Sequence, residues 1–315
     1  MTAPRARVLV LGGSGFVGRY VVPQLSAAGH FVAVLTRRRA SARHLWPLPT
    51  VQVFEGDPYD PNTVARFARG MTVAVNLVGV LHERGRETFA RAHVELPKHL
   101  IAACRVAGVP RILHMSALRA GASAPSAYLR SKAEGEAVVA SSGLAATIFR
   151  PSVIFGREDT FLNLFAKLVR MFPVIPLAGA NARFQPVYVA DVATCFVRAL
   201  EDNETIGERY DLCGPNVYTL EQLVRFVAET SGHPRPVLPL PPALAALQAS
   251  VMERLPGSLL TRDNLASMQV DNVCDAGFPR RFAIRPSALE AIAPEYLAPS
   301  ARHSRFDFFR AHGGR

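Results

Sequence analysis

The stretch Val8-Leu9-Val10-Leu11-Gly12-Gly13-Ser14-Gly15-Phe16-Val17-Gly18 decides the fold. Its four apolar residues read as a buried strand, the glycine cluster as a tight turn, and the apolar pattern after it as a helix. Strand, glycine turn and helix in that order form the phosphate end of a dinucleotide site. Gly12 allows the turn, Gly15 lets backbone approach a pyrophosphate, and Gly18 lets helix and strand pack closely. The helix N-terminus turns free N–H groups toward the phosphates. The expected phosphate loop is Gly12, Ser14, Gly15, Phe16, Val17 and Gly18.

Outward from this loop, strand and helix patterns alternate. Strands are expected at Arg7–Leu11, Phe31–Thr36, Val51–Glu55, Thr72–Leu77, Arg111–Met115 and Ala146–Arg150. Helices are expected between them at Val17–Ala28, Pro61–Arg69, Ala90–Ala107 and Tyr128–Ser141, with Gly29, Gly70, Gly108 and Gly143 as stop signals. Such alternation builds a parallel sheet with helices on both faces. After Pro151 the regularity loosens. Phe161–Met171 reads as a helix, Phe184–Val189 as a strand, and Val192–Leu200 as a helix capped by Asp191. Thr219–Thr230 and Ala243–Arg254 read as further helices, and the basic stretch from Pro279 to Arg315 has little pattern. The expected class is α/β: a Rossmann-like doubly wound parallel sheet over residues 1–155, to which 184–200 return. A smaller mixed α/β substrate domain is expected over 156–315.

Composition narrows the function. The chain has 315 residues, 49% of them hydrophobic, which is ample for a large core. The uncharged stretch from Pro236 to Met252 is broken by Pro239, Pro241 and Pro242, so it is not expected to span a bilayer. No apolar leader precedes the first strand, and a cytoplasmic location is expected. The four cysteines, Cys104, Cys195, Cys213 and Cys274, show no paired spacing and are expected as free thiols. No histidine pair has metal-ligand spacing, so no metal is expected. The net charge of +11 suits an anionic ligand or membrane surface. Its arginines are scattered apart from Arg37-Arg38-Arg39 and Arg280-Arg281, and no nucleic-acid motif accompanies them.

Those clustered arginines bear on the cofactor. In such folds an acidic residue about 20 positions past the glycines holds the adenosine ribose of NAD. Here the second strand ends Leu35-Thr36-Arg37-Arg38-Arg39, without a carboxylate. An arginine pairs with a 2′-phosphate, so NADP(H) is expected over NAD(H), held by Arg37 and Arg38. Asp57, after the third strand, either accepts from the adenine amino group or shapes the turn. Val78 and Gly79, after the fourth, are small enough to lie against the middle of the cofactor.

A second motif, Tyr128-Leu129-Arg130-Ser131-Lys132, puts a phenol and an ammonium four residues apart on one helix face. The ammonium is expected to lower the phenol pKa toward acid–base use and to hold a ribose. Ser116, at the end of the fifth strand, is placed to polarise a carbonyl. Arg157, Glu158 and Asp159 read either as a loop near the nicotinamide or as a surface ion network. The apolar segments Phe161–Met171 and Pro173–Leu177 read first as core. They would also suit a quinone-like pocket or, through Lys167 and Arg170, a membrane surface.

Further matches are Arg150-Pro151-Ser152-Val153-Ile154-Phe155-Gly156-Arg157-Glu158-Asp159, Phe161-Leu162-Asn163 and Gln185-Pro186-Val187-Tyr188-Val189-Ala190-Asp191-Val192, with Leu260-Thr261-Arg262-Asp263 and Asp271-Asn272-Val273 further on. With the glycine loop and the Tyr-x-x-x-Lys motif, the chain resembles the extended or atypical short-chain dehydrogenases/reductases. Within them it resembles the branch containing the NADPH-binding accessory subunit of respiratory complex I and its bacterial relatives. The resemblance implies a tightly held NADPH and a link to complex I or ubiquinone biosynthesis. It casts Tyr128 as general acid/base, Lys132 as its partner and Ser116 as polariser, with Pro151 and Val153 also at the cofactor. It leaves open a purely structural nucleotide, and a nucleotide-sugar epimerase or dehydratase, although Val237–Leu247 offers no sugar pocket.

Overall fold

The computed structural model describes residues 5–253 and 260–299. The chain divides into two compact units: residues up to Pro151 with Val189–Leu212 and Pro279–Ile284, and Ser152–Tyr188 with Cys213–Phe278 and the residues from Arg285 on. In chain order the strands are β1 (Arg7–Leu11), β2 (Phe31–Thr36), β3 (Val51–Glu55), β4 (Val73–Asn76), β5 (Arg111–Met115) and β6 (Ala145–Pro151). Short strands β7 (Ile154–Phe155), β8 (Ile175–Leu177), β9 (Arg183–Phe184) and β10 (Val187–Tyr188) follow, then β11 (Arg209–Leu212), β12 (Tyr218–Thr219) and β13 (Val237–Pro239). The main helices are α1 (Gly18–Ala27), α2 (Pro61–Ala68), α3 (Leu96–Ala107), α4 (Ala127–Ala140), α5 (Phe161–Met171), α6 (Val189–Glu201), α7 (Leu220–Thr230) and α8 (Pro242–Met252).

The first unit is a seven-stranded sheet in the order β11-β6-β5-β4-β1-β2-β3. Every neighbouring pair is parallel. A parallel sheet covered on both faces needs continuous apolar strands. Val8 to Leu11 and Val32 to Leu35 meet that need, each at most 2% exposed. Sequence order runs outward in opposite directions from β1 and β4, so the crevice beyond their carboxyl ends is the topological switch point where such sheets bind ligands. Helix α6 belongs to this unit because Gln24 on α1 donates to Ala190 O at 3.3 Å and Thr194 donates to Gln24 Oε1 at 3.1 Å.

The second unit has its own core, in which Leu162, Phe165 and Val169 of α5 share a cluster with Leu223, Val224 and Val227 of α7. Four expectations change here. The segment 184–189 is not one strand: β9 pairs with β12, β10 pairs with β7, and Val189 already opens α6. Pro186 interrupts the ladder between the two pieces because it has no N–H to donate. Asp191 therefore lies in the first turn of α6 and does not cap it. Asp159 is not part of a surface ion network. It is 3% exposed and accepts from the N–H groups of Gly156, Leu162 and Asn163 and from the Tyr296 hydroxyl. Lastly, Cys213 and Cys274 form a disulfide across 61 residues, with Cα atoms 6.1 Å apart. Tertiary contact made that pair, and spacing cannot reveal it; Cys104 and Cys195 are buried free thiols. The end of the expected helix at Arg254 and the tail from Ser300 lie outside the described residues.

Candidate functional site

The glycine loop begins where β1 ends. Gly12 has φ +81°, a left-handed conformation that disfavours a side chain. Gly18 opens α1 so close to the loop that a Cβ would lie 2.5 Å from Gly12 O and from Gly13 C. Gly15 differs: a Cβ there would meet only Gly12 O, at 3.2 Å. Its open face is a cradle that a side chain would fill. The N–H groups of Phe16, Val17 and Gly18 meet no acceptor among the described residues, and no side chain caps α1. Unpaired donors beside an open glycine fit a pyrophosphate. Ser14 is engaged otherwise, its hydroxyl 3.0 Å from Thr36 Oγ1 at the end of β2.

Arg37 and Arg38 follow that threonine and are exposed. Arg37 is paired with Glu87, from the loop after β4. Asp57 Oδ1 accepts from Tyr59 N at 3.0 Å, the turn role, while its other oxygen lies 3.7 Å from Arg91. The Arg91 guanidinium covers the Tyr59 ring at 4.3 Å. The β2 and β3 ends thus carry two arginine–carboxylate pairs, of which the sequence pointed only to Arg37 and Asp57.

The other half of the crevice is built on α4. Ser126 caps this helix by accepting from Leu129 N at 3.2 Å, and Tyr128 and Lys132 then share a face one turn apart. Lys132 is 4% exposed, and Nζ donates to Met115 O at 3.2 Å. Burial lowers this ammonium to about 8. Gly79 stands against it, since a Cβ there would be 2.9 Å from Nζ. Tyr128 packs edge-on against Phe89 and His93, with centroids 5.9 and 5.6 Å away, and desolvation pushes its phenol up to about 12. The phenol is therefore raised where a lowering was expected, because desolvation by burial is the dominant effect.

Residues that the sequence reading passed over hold this arrangement. His93 Nε2 accepts from Val80 N at 3.1 Å, and Nδ1 lies 2.8 Å from Ser131 Oγ. Burial, then Lys132 and His114, push His93 down to about 2, so it is neutral. Asn76 Oδ1 accepts from Val78 N, and Asn76 Nδ2 meets His114 Nδ1 at 3.2 Å. His114 is likewise neutral, pushed to about 3 by burial and Lys132. His93 sits in a π-helical turn, Ala90–Glu95. Pro97 explains that turn: it lacks an N–H, and its ring would clash with the His93 carbonyl in a regular helix. Two signals were legible, the proline within a helical pattern and the mid-helix Gly135.

Ser116 is buried at the end of β5, and its Oγ has no full hydrogen bond of its own. It lies toward Glu136. Burial would raise that carboxyl, but Arg150, Ser116 and Arg209 hold it below the usual carboxylate range. Pro151 ends β6 in this unit, whereas Val153 is in the second unit, its N–H held by Asn272 Oδ1 at 3.1 Å. Among the described residues no helix is long and apolar enough to cross a membrane.

Sheet order, glycine loop and buried lysine define a Rossmann-type dinucleotide-binding protein. Residues 8–213 match the NAD dependent epimerase/dehydratase family, and the chain belongs to it. The chain is 33% identical over 297 residues to NADH dehydrogenase (ubiquinone) 1 alpha subcomplex subunit 9 of Mus musculus, covering 91% of this chain and 78% of the relative. It is 33% identical over 197 residues to a ceramide reductase of Caulobacter vibrioides, covering 62% of this chain and 61% of that protein. Two solved structures share the fold at 24% identity. The crystal structure of gox2253 matches with TM-score 0.72 over 98% of this chain and 99% of that one. DesIV, a dTDP-glucose 4,6-dehydratase from Streptomyces venezuelae with NAD and TYD bound, matches with TM-score 0.63 over 74% and 84%. Family membership accordingly makes this a nicotinamide-dinucleotide-binding protein.

Proposed function

We propose that the chain is an NADP(H)-binding oxidoreductase of the short-chain dehydrogenase type, acting beside respiratory complex I or in ubiquinone metabolism. The observation that carries this is the buried Lys132 ammonium, facing Gly79 one helical turn from Tyr128. An ammonium has three donors, and Met115 O takes one; ribose hydroxyls suit the others. When bound, the nicotinamide supplies or accepts a hydride. A phenol near 12 stays protonated at neutral pH, so Tyr128 is suited to give a proton to a carbonyl oxygen, the reductive direction. Arg37 and Arg38 favour a 2′-phosphate, and the second unit is the substrate domain. The relatives named for NADH dehydrogenase (ubiquinone) and for ceramide reductase support an apolar, quinone-like or lipid-like substrate.

A second reading, a structural or assembly role with a permanently held NADPH, is favoured by one observation: the raised phenol is not the activated base that turnover in both directions needs. The two readings separate on the purified protein. Co-purifying reduced NADPH that is oxidised by a quinone panel, with the rate lost in Tyr128→Phe, supports the oxidoreductase. NADPH that persists unchanged supports the structural role.

Peripheral membrane contact is part of the proposal. Met171, Phe172 and Val174, with Leu238, Leu244 and Leu247, are exposed on the second unit, and Lys167 and Arg170 lie on α5 beside the first three. Apolar exposure with basic neighbours suits an anionic bilayer. Co-sedimentation with anionic vesicles that falls with salt is expected; no sedimentation at low salt refutes it.

A further inference from the structure

We propose that His93 is a positioning residue that ties the loop after β4 to α4, and so sets Lys132 and Tyr128 for the nicotinamide half of the dinucleotide. This rests on the reading that the crevice holds a dinucleotide.

The polarity of the network admits one arrangement. A backbone N–H only donates, so the Val80 contact at 3.1 Å leaves His93 Nε2 without a proton. A neutral imidazole then carries its proton on Nδ1. Ser131 gives its own proton to Tyr128 O at 2.7 Å, so its oxygen accepts from His93 Nδ1–H at 2.8 Å. The chain runs from Val80 through His93 and Ser131 to the backbone of Tyr128. One end is the Val78-Gly79-Val80 loop, with Gly79 against Lys132 Nζ. The other is the first turn of the helix that carries Tyr128 and Lys132.

Packing leaves the ring no freedom to make these bonds otherwise. His93 is 2% exposed, stacks on Phe89 at 5.6 Å and meets Tyr128 edge-on. The π turn presents its carbonyl to Gly135, where even a methyl group would collide at 1.9 Å. Glycine at 135 therefore lets α4 approach closely enough for the Ser131 bond. Among the described residues, the hydrogen bonds and ring contacts of His93 go to Val80, Ser131, Phe89 and Tyr128, and none goes to the phosphate loop or to the arginines at the adenosine end.

That separation makes the assignment testable. His93→Phe keeps a ring for the stack and loses both hydrogen bonds. NADPH and ADP, which has the adenosine and diphosphate but no nicotinamide, are titrated by calorimetry into the full chain. His93→Phe is expected to weaken NADPH about tenfold, the scale on which members of one network couple, and to leave ADP unchanged. Ser131→Ala gives a smaller loss and adds little in the His93→Phe background. His93→Asn, whose amide can still donate and accept, recovers part of the affinity. Equal losses of NADPH and ADP would indicate general disruption and overturn the assignment, as would unchanged NADPH binding. A wild-type chain that binds ADP and refuses NADPH would refute the dinucleotide reading itself.

Discussion

Replacing Gly135 by alanine tests how the crevice is held open. The added Cβ would stand 1.9 Å from His93 O and 3.0 Å from His93 C, where ordinary contact begins near 3.4 Å. The two backbones must part by roughly 1.5 Å, the gap between the first and last of those distances. The obstacle is backbone, which no rotamer change can relieve, so the penalty belongs at the upper end of the ~1–3 kcal/mol typical of overpacking. Alanine's better helix propensity returns about 1 kcal/mol. The net loss is about 2 kcal/mol, which lowers Tm by roughly 4–8 °C for a unit of this size. The 2.8 Å bond from His93 to Ser131 would stretch beyond hydrogen-bond reach, so NADPH affinity should fall with stability. Urea titration followed by circular dichroism reads the first effect and calorimetry the second. Gly121→Ala is the control, because a Cβ there meets only Arg119 O at 4.0 Å. If Gly135→Ala is as stable as wild type, propensity outweighs the contact and the reasoning fails.

Gly15→Ala should fold with a small loss of stability, since its Cβ lies 3.2 Å from Gly12 O and Gly12 must give by a few tenths of an ångström, yet lose NADPH affinity at least about tenfold; unchanged calorimetric affinity would remove Gly15 from the phosphate loop. Arg37→Ala should weaken NADPH more than NADH, and Glu87→Gln, which frees Arg37 from its partner, should strengthen NADPH; indifference of the NADPH/NADH ratio to both would refute the arginine argument. His93 and His114 have folded pKa values far below the ordinary 6.5, so the unfolded chain takes up protons that the folded chain refuses. Their contribution to stability is complete above pH 6.5 and is lost as the pH falls toward about 3 and 2, by up to about 1.4 kcal/mol per pH unit for each group. Urea midpoints between pH 7 and 5 should therefore drop steeply, and a His114→Gln slope equal to that of wild type would contradict the assignment.

Much of the first unit was legible because its signals are local. Val8 to Leu11, Gly12 and Gly18 carry strand, turn and close packing within eleven residues, and tetrahedral sterics at a glycine need no distant information. Tyr128 and Lys132 share a face because helical periodicity puts them there. The alternation of strands and helices up to Pro151 was enough for a parallel, doubly wound sheet, since parallel neighbours need crossovers. Pairings between distant residues were not legible. Cys213 with Cys274, Arg37 with Glu87, and His93 with Val80 and Ser131 are contacts that only the closed chain makes. The protonation of the site belongs with them. Four residues of spacing put an ammonium beside a phenol, and in water that would lower the phenol. Burial decided otherwise, raising Tyr128 and lowering Lys132, because desolvation acts on each charged form and depends on everything packed around it.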